Sequence, residues 1–129
     1  ILPNLLIPEL AGALAKSQAP RVYIANLMTQ PGETSGYTLA DHLRAIQRHT
    51  PGRVVDWVVA NRRPVSPEVA RRYRAEGAEP VAVNLRELQK LGLRAIFDDL
   101  LEEHGVIRHD ARRLARLLLD EVVLRPRAR

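Results

Sequence analysis

The sequence predicts an α/β protein with a mainly parallel sheet and flanking helices. Three observations carry that reading. Short apolar runs of β-forming residues alternate with segments of helical period, the pattern that builds parallel sheets. The run Val54-Val55-Asp56-Trp57-Val58-Val59-Ala60 is almost continuously apolar, as a strand covered on both faces should be. Finally, a strand over residues 21–26 leads through a polar loop into a helix starting at Thr38. That unit is the one from which open α/β sheets build ligand sites.

Residues 5–17 read as a helix entered through Pro8 at a first-turn position, with Leu10, Ala13 and Leu14 on one face. Pro20 closes the connection to strand 21–26. Residues 38–49 form a helix: Thr38 is a good N-cap, Asp41 stands at N3, and Leu39, Leu43 and Ile46 make its apolar stripe. Thr50-Pro51-Gly52 ends it. After strand 54–60, Ser66 caps a helix with Pro67 at N1, running to Glu76 with Gly77 as its C′ residue. A short strand is expected at Pro80-Val81-Ala82-Val83. Asn84 and Glu87 read as a capping box for a short helix closed by Gly92, and residues 93–97 as a further strand. His109-Asp110 precedes a last helix over residues 111–124, with Leu114, Ala115, Leu118 and Val122 as its buried stripe. Arg125, Arg127 and Arg129 form a solvated tail.

Composition narrows the function classes. The chain has 129 residues, 46% of them hydrophobic, enough for one globular domain with a real core. There is no cysteine, which excludes disulfides and thiol chemistry and fits a reducing compartment. No apolar run approaches the roughly 20 residues that span a bilayer, and no signal-peptide pattern is present; no membrane partner is expected. The first residue is Ile1, and Ile1-Leu2-Pro3 has no capping residue before it, so the chain reads as a piece of a longer protein. Net charge is +5, and only Lys16 and Lys90 are lysines. A basic balance suits nucleic acid and acidic small ligands alike. Aromatics at 4% are too sparse for a base-stacking platform. The arginines of the last helix carry no reader motif, so no nucleic-acid partner is expected.

The richest segment is Asn26-Leu27-Met28-Thr29-Gln30-Pro31-Gly32-Glu33-Thr34. The helix start beyond it offers N–H groups and a positive dipole suited to phosphate. Its Asn, Thr, Gln and Glu side chains supply donors and acceptors for hydroxyls or a base edge. The same residues also describe an ordinary loop turning at Pro31-Gly32, and neither a P-loop nor a G-x-G-x-x-G pattern is present. Parallel strands would put Asn26, Asn61 and Asn84 on one rim. Asn84 reads as a cap, and Asn61 serves equally to turn the chain.

Acid–base candidates are Glu33, Asp41, His42, His109 and Asp110. Glu33 suits ribose or sugar hydroxyls, or simply the helix dipole. Asp41 reads as a cap partner. His42 is either a diphosphate donor or a structural histidine. His109 and Asp110 either start the last helix or reach the cleft. No nucleophile–base pair is evident. His42, His49, His104 and His109 lack metal-ligand spacing, and no metal ligand is assigned. Met28 suits a core plug beside the loop.

The run from Val22 through Thr34, then Gly36-Tyr37-Thr38, then Asp41-His42, resembles the YvcK branch of the CofD-like family, the gluconeogenesis factors. Ile1-Leu2-Pro3-Asn4-Leu5-Leu6 is similar to the segment directly after that family's Gly-Pro-Gly-Ser-Leu motif. Val55-Asp56 through Asn61 is similar to its strand ending in Asn. His109-Asp110 and Leu114-Ala115 are similar to its C-terminal helix start. The resemblance covers essentially the whole chain, as the C-terminal part of a single CofD-like domain in a protein more than twice as long. It implies a Rossmann-like fold, incomplete over residues 1–129, and a cytoplasmic protein. It implies binding of a UDP-N-acetylglucosamine type of nucleotide-sugar, and a regulatory role in cell shape and cell-wall synthesis during gluconeogenic growth. Mg2+ would enter only through ligand phosphates, the regulatory protein partner is unidentified, and the intact protein is expected to be a homo-oligomer. The family's other branch, the 2-phospho-lactate transferase, carries a Ser-Pro-Ile start, paired glycines and a Lys-Gly-Pro run in this loop. The present loop departs from that pattern, and transfer of a phosphate-linked group stands as the alternative. The expected ligand contacts are Asn26, Met28, Thr29, Gln30, Gly32, Glu33, Thr34 and Asn61, with Asn4, His42 and His109 behind them. No catalytic residue is assigned.

Overall fold

A computed structural model describes residues 1–124; the tail read at Arg125, Arg127 and Arg129 lies outside the described residues. The elements run α1 (Leu2–Leu5), α2 (Pro8–Lys16), β1 (Val22–Ile24), α3 (Leu39–Arg48), β2 (Trp57–Asn61), α4 (Pro67–Ala75), α5 (Leu85–Lys90), β3 (Arg94–Asp98), β4 (Leu101–His104), β5 (Val106–His109) and α6 (Ala111–Leu118), which continues into a π-helical turn at Leu119–Val123. Strands β1, β2 and β3 form a parallel sheet in that order, with Val22 opposite Trp57 and Trp57 opposite Arg94. Parallel neighbours need a crossover: α3 links β1 to β2, and α4 with α5 links β2 to β3. The fold is therefore α/β with a parallel sheet and flanking helices, as the alternation of elements predicts.

Val58 and Val59 of β2 and Leu39 of α3 are fully buried. Consecutive strand residues point to opposite faces, so burial of Val58, Val59 and Ala60 in succession means that both faces of β2 are covered. That leaves no solvent-facing side for polar residues, which explains the continuous apolar run. Helix α3 buries Leu39, Leu43 and Ile46 as its periodicity requires. Its start is a complete capping box: the Asp41 N–H donates to the Thr38 hydroxyl oxygen, and the Thr38 N–H donates to the Asp41 carboxylate.

The amino-terminal end of the sheet is fastened by one ion pair. Arg21 Nε and Nη2 donate to Asp56 Oδ2 and Oδ1 at 2.9 and 2.7 Å, and the Arg21 N–H adds a third bond to Oδ2 at 3.1 Å. The remaining guanidinium nitrogen donates to the carbonyls of Leu14 and Ala15 at the end of α2, and to that of Arg53. One side chain thereby joins α2, the start of β1 and the start of β2.

Several boundaries differ from the sequence reading. The first helix is two. Pro8 disfavours helical geometry at the preceding residue, and Ile7 is extended there, so α2 begins at Pro8. Its buried residue is Ala11, while Leu10 and Ala13 are exposed. The strand expected at 80–83 is only a single antiparallel bridge, Pro80 to Met28; Pro80 has no N–H with which to extend a ladder. Ser66 sits at the N-cap of α4 but its side chain makes no capping bond; its N–H donates to Glu103 Oε1 instead. Asn84 caps α5, accepting from Arg86 and Glu87 N–H. Glu87 does not complete a capping box, because Lys90 and Arg44 hold its carboxylate. The β4–β5 hairpin, turning at Gly105, is absent from the sequence reading. The last helix turns π-helical from Leu119, and only Val122 of its expected stripe is buried. Among the described residues no helix is long and apolar enough to cross a membrane.

The Arg21 guanidinium holds the Asp56 carboxyl below its ordinary range through the paired hydrogen bonds, against the opposing effect of burial. A depressed folded-state value stabilises above the unfolded value, about 3.9, and the contribution disappears as pH falls through the folded value. Asp56→Asn should therefore cost about 2–3 kcal/mol at neutral pH. The gap to the unsubstituted protein should hold steady from pH 7 to about 5 and close under more acidic conditions. Urea midpoints measured across that range test this; a gap independent of pH would assign the effect to packing.

Candidate functional site

The carboxyl ends of β1 and β2 open onto two cavities that share Asn26 and Leu27 as a common border. The first, about 440 Å³, lies between the ends of β1 and β2, the segment after β2, and the stretch leading into α5. The second, about 420 Å³, is bounded by residues 26–31, the end of α4 and strand β5. Both fall within the size range of small-ligand sites.

Strand β1 stops pairing at this point for a visible reason. The Ala25 N–H still donates to the Val59 carbonyl at 2.9 Å. The Ala25 carbonyl instead lies 3.1 Å from His109 Nε2, so that nitrogen carries the proton. The next residue, Asn26, is exposed and its side chain has no partner among the described residues. The chain then runs beside residues 79–82. Thr29 N–H donates to the Glu79 carbonyl at 2.7 Å, Val81 N–H to that of Leu27 at 3.1 Å, and Leu39 N–H to that of Ala82 at 2.9 Å. This seam is where the residues read as a short strand are used.

The expected contact residues divide by what their side chains already do. Asn26, Met28, Thr29 and Gln30 line the second cavity, and Asn26 and Asn61 line the first. Gln30 and Glu33 are exposed with free side chains among the described residues, but Gly32, Glu33 and Thr34 line neither cavity. Thr29 is 4% exposed, and its hydroxyl accepts from the Glu79 N–H at 2.9 Å, so it pins the loop. The Thr34 hydroxyl accepts from the Gln30 N–H at 2.8 Å. Gly32 takes φ +78°, the left-handed turn that a side chain would strain. Asn61 is a clamp: its Oδ1 accepts from Arg63 and Leu100 N–H, and its Nδ2 donates to the Arg63 carbonyl. Asn4 is exposed on α1 and lines neither cavity.

His42 also lies off both cavities. It is buried, its Nδ1 donates to the Thr38 carbonyl at 2.9 Å, and its ring meets Tyr37 edge-on at 5.5 Å. The α3 end is closed by its own residues, with the Thr38 hydroxyl and N–H holding the Asp41 carboxyl below its ordinary range. The Asp41 N–H goes to the Thr38 hydroxyl oxygen and the Leu39 N–H to the Ala82 carbonyl, so two of the first N–H groups of the helix are already engaged. His109 does reach the cleft, as a wall of the second cavity. Asp110 caps α6, accepting from the Arg113 N–H at 2.9 Å.

Sequence reasoning did not identify Arg62, Arg63 and Phe97 of the first cavity, or Tyr73 and Arg108 of the second. Two of these carried a signal: Arg62 and Arg63 directly follow a strand-ending Asn. Arg63 pairs with Asp99 at 2.9 Å and donates to the Leu101 carbonyl. Arg113 lies 3.5 Å from Asp98 and 3.7 Å from Asp99. Among the described residues the Arg62 side chain pairs only with Asp98, at 4.0 Å, and it is 65% exposed. Three guanidiniums face two carboxylates here, which leaves the rim positive. Among the described residues no group of three or more His, Asp or Glu could hold a metal ion.

The chain is similar to proteins of known sequence and structure. It is 42% identical to the gluconeogenesis factor of Bacillus subtilis over 121 residues, which is 93% of this chain and 38% of that protein. It is 43% identical to the gluconeogenesis factor of Halalkalibacterium halodurans, with the same coverage. A crystal structure of a Bacillus halodurans protein superposes with a TM-score of 0.90 at 42% identity, over 93% of this chain and 39% of that one. The chain thus spans well under half the length of these relatives. Residues 1–101 match the family described as 2-phospho-L-lactate transferase CofD. Fold, loop and family match agree, and the chain belongs to the CofD family, among relatives that are gluconeogenesis factors.

Proposed function

We propose that this edge of the sheet binds a nucleotide-linked sugar of the UDP-N-acetylglucosamine class. In this reading the protein is a cytoplasmic regulator of cell shape and wall synthesis during gluconeogenic growth, and it senses the ligand without consuming it. The observation that carries the reading is the pairing of two cavities around unpartnered carboxamides. Asn26 and Gln30 each present one acceptor and two donors to the cleft, while their neighbours Thr29, Thr34 and Asn61 commit their hydrogen bonds to the scaffold. Preformed walls with a few free polar groups characterise binding sites. The relatives called gluconeogenesis factors support the link to gluconeogenic growth.

Mg2+ fits this site only as a passenger on the ligand's phosphates. Asp98 and Asp99 are held by arginines, so the rim offers no free carboxylate pair. The second reading is transfer of a phosphate-linked group, favoured by the CofD family match. The two differ in turnover.

Calorimetric titration of the protein with its native flanking sequence against UDP-N-acetylglucosamine, UDP and GDP separates them, with chromatography of the mixture. Binding of the UDP-sugar without consumption is the expected result. Consumption, or preference for the guanine nucleotide, would move the reading to the transferase.

A second test separates scaffold from contact. Gln30→Ala should weaken UDP-sugar binding about fivefold to tenfold with an unchanged melting temperature. Thr29→Val should lower stability by about 1–2 kcal/mol, because it leaves the Glu79 N–H unpaired. If Gln30→Ala binds normally, the loop is not a contact surface.

A further inference from the structure

The two cavities are chemically unlike. The second carries Gln30, Glu76, Arg108 and His109 on its walls. The first carries Val65, Val81, Val83, Leu85 and Phe97, from three separate segments, beside Asn61, Arg62 and Arg63. Val83 and Leu85 are 39% and 57% exposed. They belong to the stretch leading into α5, whose polar residue Asn84 is turned to capping. Apolar surface left open on several walls of a concave site, beside a few polar groups, characterises small-ligand pockets, and apolar walls suit the faces of a planar ring. Two polar features border it. The Asn26 carboxamide is free, and a carboxamide matches the donor–acceptor edge of a heteroaromatic amide. Arg62 is the least committed of the three rim guanidiniums, with one contact at 4.0 Å. A guanidinium with open donors is suited to a phosphate ester.

We propose that the first cavity receives the planar heteroaromatic base of the ligand, and that Arg62 reads the phosphate attached to it. This deepens the nucleotide-sugar reading and rests on it. The more polar second cavity is then left to the sugar, with Asn26 and Leu27 between the two. Arg62 and the walls Leu85 and Phe97 become specificity residues.

The test uses the protein with its native flanking sequence and three probes: uridine, UMP and UDP-N-acetylglucosamine. Calorimetry follows the two nucleotides, and ligand-observed NMR follows uridine. The variants are Arg62→Gln and Leu85→Asp. Both positions are exposed, and Asp is well tolerated in a first helical turn, so folding should be retained and is checked by melting temperature. Arg62→Gln should weaken UMP at least tenfold while leaving uridine unchanged. Leu85→Asp should weaken uridine and UMP alike, again at least tenfold; loss of UMP alone would indicate charge repulsion and overturn the placement of the base. An Arg62→Gln protein that keeps UMP within twofold overturns the role of Arg62. If both variants bind all three probes normally, the inference falls and the nucleotide-sugar reading stands. If the unsubstituted protein binds none of the probes, both fall.

Discussion

The Arg21–Asp56 pair is the constraint on which the rest of the sheet depends. A parallel sheet has no hairpin to fix the register of adjacent strands, so something else must. Arg21 does this at the start of β1 by gripping Asp56 just before β2, through both the backbone and the guanidinium. Register then propagates from Val22 opposite Trp57 to Ile24 opposite Val59, and the carboxyl ends arrive level with each other. The same guanidinium collects two of the last carbonyls of α2, those of Leu14 and Ala15, at a helix end where carbonyls lack partners within the helix. A cation at that position also opposes the helix dipole favourably.

The two ends of the sheet have opposite character, and that division positions the site. At the amino-terminal end Arg21 and Asp56 pair with each other, and Arg94 lies over the Trp57 ring. At the carboxyl end the strands stop where their partners change: the Ala25 carbonyl goes to His109 rather than to β2. The hairpin β4–β5 makes this possible. It is itself held by Tyr73, whose hydroxyl accepts from the Ile107 N–H at 2.9 Å, and by Arg72, which donates to the Gly105 carbonyl. Residues more than 80 positions apart thus decide where the loop leaves the sheet.

Sequence legibility tracks the range of the forces involved. Helix α3 and strand β2 are readable because local pattern and burial coincide: a capped amphipathic period in one, a continuous apolar run in the other. The place of the loop after β1, between strand and helix, is readable from its composition, and residues 26–31 of it do border the cavities. The sequence does not reveal which partner each polar side chain takes. Thr29 and Gln30 are neighbours of similar chemistry, yet Thr29 is buried against Glu79 and Gln30 is free. That difference is set by a backbone segment 50 residues away. The hairpin escapes for a related reason. His104-Gly105-Val106 carries no two-residue turn signal, and its alternation is masked by Glu102, Glu103 and Arg108. At the start of α3 the sequence does not show that the Leu39 N–H is taken by the carbonyl of Ala82, a residue from a distant segment, while the Asp41 N–H goes to the local Thr38 hydroxyl.

Closure of α3 by its own capping box limits how this fold can recognise an anion. A phosphate taking the Asp41 N–H would first have to displace the Thr38 hydroxyl from it, a cap that typically contributes about 1 kcal/mol. Side-chain cations are the further donors at this edge: the surplus guanidinium at the Asp98–Asp99 rim, and Arg108, exposed on the wall of the second cavity. Side-chain recognition is more adjustable than a helix start. A guanidinium held by one loose contact can reorient as a ligand enters, whereas backbone donors are fixed by the fold. A site arranged this way has a rigid seam of pinned loop residues beneath a few movable contacts. Arg62 shares Asp98 with Arg113 of α6, so the proposed ligand contact and the anchoring of α6 meet at one carboxylate.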